Sequence, residues 1–143
     1  MKKSINIIAI VSIIGLVALA AACGSGTTTT SEKVIKSGPI GNNLTVTLSS
    51  ESGRLKNGAQ DIMIAFTDAS GKAVDVGSAS LNFHMPAMGS MAAMHESATL
   101  TTTSTPGVYN GKVKISMAGD WQAQIAIEGA AGSGKANLLV TAQ

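Results

Sequence analysis

Aromatic residues are scarce in this chain: two Phe, one Tyr and one Trp make up 3% of its 143 residues. A hydrophobic core must therefore be built mostly from aliphatic side chains, with Trp121 as its natural centre. Charge is also thin, at 13%. The formal net charge of +2 depends on Lys2 and Lys3, which belong to a leader. Without those two, eight basic residues face eight acidic ones, and the mature chain is neutral. A nucleic-acid binder needs a concentrated basic face, so that class is excluded. The single cysteine, Cys23, allows no intrachain disulfide. Two histidines and eight acids leave little material for acid–base chemistry, and no nucleophile–base pair is recognisable, so no enzymatic activity is expected. The uncharged run Ile5–Leu19 is shorter than the ~20 apolar residues of a spanning helix.

What is present at the start is a leader with three zones: Lys2 and Lys3, the apolar run, then Ala20-Ala21-Ala22 before Cys23. This is the layout of a secretory signal peptide. Leu19-Ala20-Ala21-Ala22-Cys23 resembles a bacterial lipobox. That resemblance implies cleavage before Cys23, diacylglycerol on its sulfur, and an extracytoplasmic protein lipid-anchored to the bacterial cell membrane or outer membrane. Residues 1–22 are then the lipoprotein signal peptide. Residues 23–33, rich in Gly, Ser and Thr, are the lipidated cysteine and a flexible tether. Residues 34–143 form one domain, long enough to bury roughly two thirds of its unfolded surface.

No window of that domain sustains a 3.6-residue apolar period, whereas period-two alternation recurs. Leu44, Val46 and Leu48 share a face, as do Ile62, Ile64 and Phe66, and Leu81, Phe83 and Met85. The same holds for Tyr109, Val113 and Ile115, and for Trp121, Ala123, Ile125 and Ile127. Lys72–Val76 reads as a short partner strand after the Asp68–Gly71 turn. Ala98–Thr103 reads as an edge strand, and Ala136–Thr141 as the closing strand. About seven short strands separated by Gly, Pro, Ser and Asp turns predict an all-β, immunoglobulin-like antiparallel sandwich.

Gly129-Ala130-Ala131-Gly132-Ser133-Gly134-Lys135 has phosphate-loop spacing, but Ala136 replaces the hydroxyl residue that would hold Mg²⁺. Too little chain follows for an α/β sheet. No nucleotide site is expected, only a hairpin loop.

The informative segment is His84-Met85-Pro86-Ala87-Met88-Gly89-Ser90-Met91-Ala92-Ala93-Met94-His95. It holds four of the chain's seven methionines, spaced every third residue, and both of its histidines. Three readings compete. Methionine is a flexible core filler, and these side chains could close one end of the sandwich. Thioether and imidazole are soft and borderline donors, and together they suit Cu(I). A methionine-rich surface also adapts to protein partners. Glu96 is the only nearby carboxylate, which argues against calcium or magnesium. Candidate ligands are His84, Met85, Met88, Met91, Met94 and His95. Met88, Met91, Met94 and His95 are favoured because they sit in an expected loop, independent of strand facing. His84 and Met85, adjacent in a strand, point to opposite faces.

Leu81-Asn82-Phe83-His84-Met85-Pro86-Ala87-Met88, then Pro106-Gly107-Val108-Tyr109, then Met117-Ala118-Gly119-Asp120-Trp121 resemble the YtkA-like domain family over roughly Lys36–Val140. That family is related to FixH-like proteins and broadly to CopC-type copper-resistance domains. The resemblance implies a β-sandwich outside the cytoplasm, membrane-associated, with copper handling as its suggested role. The expectation is weak or transient Cu(I) binding. The alternative is a module without metal that docks on a membrane partner such as an efflux or respiratory assembly.

Overall fold

The computed structural model describes residues 31–143. The expected signal peptide, Cys23 and most of the expected tether lie outside the described residues. Nine strands follow one another: β1 (Lys33–Gly41), β2 (Leu44–Ser50), β3 (Gly58–Thr67), β4 (Ser78–Met85), β5 (Met94–Ser97), β6 (Thr99–Thr102), β7 (Val108–Ile115), β8 (Gly119–Gly129) and β9 (Gly132–Ala142). They form a five-stranded sheet in the order β1-β2-β3-β7-β6 and a four-stranded sheet in the order β5-β4-β8-β9. All neighbouring strands are antiparallel.

The alternation read from the sequence is the alternation of burial. Val46, Leu48, Ile62, Ile64, Phe66 and Ile115 from one sheet meet Leu81, Phe83, Met85, Trp121, Ala123 and Ile125 from the other in one core. Trp121 is completely buried, and its Nε1 donates to the Met117 carbonyl at 3.1 Å. Among the described residues, no buried side-chain nitrogen or oxygen lacks a hydrogen-bond partner. The fold is all-β, a two-sheet antiparallel arrangement of the sandwich kind.

Nine strands rather than about seven form, for two reasons. β1 has little alternation to read, because only Ile40 along it is fully buried. β5 is only four residues long and lies in the segment expected as a loop. A single residue, Ala98, separates β5 from β6. Its N–H donates to Leu81 of the four-stranded sheet, while Thr99 already pairs with Lys112 of the other. The chain thus changes sheets at one corner.

Two expectations need correction. Lys72–Val76 is not a strand; it meets β3 only at the isolated bridge Thr67↔Ala73. The Asp68 carboxylate accepts from the Ser70 N–H, the Ser70 hydroxyl and the Lys72 N–H. The segment then crosses to the other sheet and cannot keep pairing. The expected loop at Gly129–Gly134 shrinks to Ala130-Ala131, because Gly129 already pairs with Gly132. The phosphate-loop spacing therefore lies in a tight β8–β9 hairpin, not before a helix.

Register also fixes which end of the sandwich each segment occupies. Met85 ends β4 where β8 begins at Gly119 and β9 ends at Ala142. β1 runs antiparallel beside β9, with Gly38 against Leu138 and Ile40 against Gly134. Lys33, the start of β1, therefore lies at the same end as Met85. The opposite end carries the Asn42-Asn43 turn, whose two positive φ angles (52° and 57°) are those of a type I′ hairpin.

Candidate metal centre

The segment from His84 to His95 is a β-hairpin. β4 and β5 pair His84 with His95 and Met85 with Met94. Beyond them, Met88 and Met91 form an isolated bridge and exchange both backbone hydrogen bonds, at 3.1 and 2.9 Å. Between those two stand Gly89 and Ser90. Gly89 has φ +58° while Ser90 stays negative, the pattern of a two-residue type II′ turn, which requires glycine first.

The six candidates thus form three cross-strand pairs, each symmetrical about Gly89-Ser90. Opposed residues in an antiparallel pair share a face, and the pairs differ in burial. Met85 is 2% exposed and packs in the core. A Cβ placed on Gly119 would lie 2.9 Å from Met85 Cε, so the glycine leaves the room this methionine fills. The Met-Pro-x-Met and Gly-x-Trp segments are therefore in contact, and Met85 serves packing. Met94 is half-buried and packs on the same core. Met88 and Met91, by contrast, are 57% and 39% exposed.

His84 and His95 turn to the outer face of the four-stranded sheet. Their rings stack with centroids 4.4 Å apart and 30° between planes. Their Nδ1 atoms are 3.3 Å apart, within hydrogen-bond reach. Gln122 follows His84 across the sheet, and Leu139 follows Gln122.

His84 and Met85 do face opposite ways, as strand geometry requires. The same rule now separates Met94 from His95, because those residues open β5 instead of lying in a loop. The favoured quartet Met88, Met91, Met94 and His95 is consequently not one cluster. Among the described residues, no group of three or more His, Cys, Asp or Glu side chains could hold a metal ion. The donors available are the exposed thioether pair at the tip and the imidazole pair on the sheet. The sequence signal for this division was its mirror symmetry: His-Met, Met, Met, Met-His, centred on a Gly-Ser turn.

The other two segments of the resemblance also have structural roles. A Cβ on Gly107 would clash with the Val74 carbonyl oxygen, and Gly107 has φ +80°, so the Pro106-Gly107 turn admits only glycine. Tyr109 then donates its hydroxyl to the Gly77 carbonyl at 2.8 Å. Burial, and secondarily the charge of Asp75, raise its pKa above the ordinary phenol value.

A family model described as YtkA-like matches residues 40–126, which include all three segments. The chain belongs to the YtkA-like family. No curated protein and no solved structure matches it. YtkA-like membership fits a domain that works outside the cytoplasm.

Proposed function

We propose that this YtkA-like protein is a lipoprotein held to a bacterial membrane through Cys23, and that it binds Cu(I) weakly or transiently at the Met88–Met91 turn. The observation that carries this reading is the exposure of those two directly opposed methionines. Packing accounts for Met85 and Met94, which touch the core. It does not account for Met88 and Met91, whose side chains are left open to solvent. Thioether sulfur is neutral and soft, so the pair fits Cu(I) and not a hard cation. Cu(I) takes two to four donors, and two from an exposed tip leave positions free for a donor from elsewhere. That suits uptake and release more than storage. We assign a binding role and no catalysis.

A competition titration of the full chain in detergent against a Cu(I) chelator tests this. Met88→Leu/Met91→Leu should reduce Cu(I) retention at least tenfold while the fold persists, because both positions are exposed. Equal retention by variant and wild type would exclude these sulfurs.

A second reading has its own support. The turn lies at the same end of the sandwich as Lys33, where the tether joins the domain. An adaptable methionine surface there could meet a membrane partner without any metal. Unchanged partner recovery from membranes with the same double variant would remove that alternative.

A further inference from the structure

We infer that His84 and His95 form a second metal site, separate from the methionine turn, which takes a late first-row divalent cation such as Zn(II) or Cu(II). The argument rests on imidazole geometry and does not depend on the Cu(I) reading. The two rings are directly opposed across β4 and β5. Their Nδ1 atoms are 3.3 Å apart. Two nitrogens bound at about 2.0–2.1 Å to one tetrahedral ion stand about 3.3–3.4 Å from each other. The pair is therefore already spaced for chelation, and the stacked rings would rotate apart to aim both lone pairs at one point. Adjacent positions of a square-planar ion need about 2.8–3.0 Å, a slight contraction.

Without an ion, the same contact is a hydrogen bond in which one Nδ1 donates and the other accepts. An ion takes both Nδ1 lone pairs, and the proton of the donating ring shifts through solvent to its own Nε2, so both rings stay neutral. The strands hold the two backbones in register, so little ordering is needed on binding. His95 is exposed and His84 half-buried, on the outer face of the sheet, so an ion reaches them from solvent. No third His, Cys, Asp or Glu joins them among the described residues. Water would fill the other positions, and the affinity would be modest. Neutral imidazole is a borderline donor, which selects Zn(II) and Cu(II) over Mg²⁺ and Ca²⁺. The thioethers of Met88 and Met91 select the softer Cu(I), so the two pairs on one hairpin divide the ions by softness.

The test is titration of the full chain in detergent with Zn²⁺, and electron paramagnetic resonance with one equivalent of Cu²⁺. Binding of one ion, with nitrogen hyperfine structure from imidazole, is expected. His84→Asn and His95→Asn should each weaken Zn²⁺ binding at least tenfold, while Met88→Leu/Met91→Leu leaves it unchanged. In the wild-type protein, Zn²⁺ should also protect both histidines from diethyl pyrocarbonate, a readout that needs no variant. Equal Zn²⁺ affinity in wild type and the His84→Asn/His95→Asn double variant, or no protection of the rings, would overturn the site. The Cu(I) competition reads different residues and a different ion, so either claim can fail alone.

Discussion

Four evenly spaced methionines occupy two kinds of environment, core-packed and exposed, and stability should separate them. Met85 fills the space above Gly119 inside the core. Met85→Ala should cost about 2–5 kcal/mol through lost burial and a cavity. Met88→Ala at the exposed tip should change stability by no more than about 0.5 kcal/mol. Chemical denaturation of the two variants checks both numbers, and similar costs would contradict the division. Tyr109 supplies a pH prediction. Its folded pKa is raised, by burial first and by Asp75 second, so the folded state holds the phenol proton more tightly than the unfolded chain. The sign follows: this contribution is complete below about pH 10 and is lost as pH rises through the folded pKa. It is the only tyrosine, so phenolate absorbance reports it directly. The midpoint should lie above that of free tyrosine; a midpoint at or below it would contradict the burial of the phenol.

The β4–β5 hairpin is the element on which the site depends. Its turn needs Gly89 at φ +58°, and nothing lies within 4 Å of a Cβ placed there. Gly89→Ala therefore adds backbone strain without a clash, about 1–3 kcal/mol for an L-residue held at this positive φ. The variant should keep the sandwich, fray the Met88–Met91 bridge and speed amide exchange at those two N–H groups. Exchange as slow as in wild type would show that the turn does not hold the pair. Most strands of the domain were legible because β2, β3, β4, β7 and β8 alternate apolar and polar residues. β5 was not, because Met94-His95-Glu96-Ser97 carries one apolar residue in four. Met94 and His95 consequently read as loop ligands free to converge, and the pairing with His84 and Met85 is what sets them on opposite faces.

At the scale of the molecule, the sandwich places Lys33, the methionine turn and the C-terminal end of β9 together. If Cys23 carries the lipid, Cys23→Ser should move the protein from the membrane fraction to the soluble fraction, because acyl chains would supply the main apolar attachment once the leader is cut. Retention in membranes with an unchanged leader pattern would remove the lipoprotein assignment.

The sequence by itself determined the fold class, since a period of two with turn residues between runs is a local property of the backbone. It also determined the family segments and the cluster of soft donors, which are matters of composition and order. Only the tertiary structure decided which donors meet. Facing depends on register, and register depends on which strands pair. Here that choice sent Met85 into the core, Met94 against it and His84 and His95 to the outer face, and it left Met88 and Met91 open at the tip.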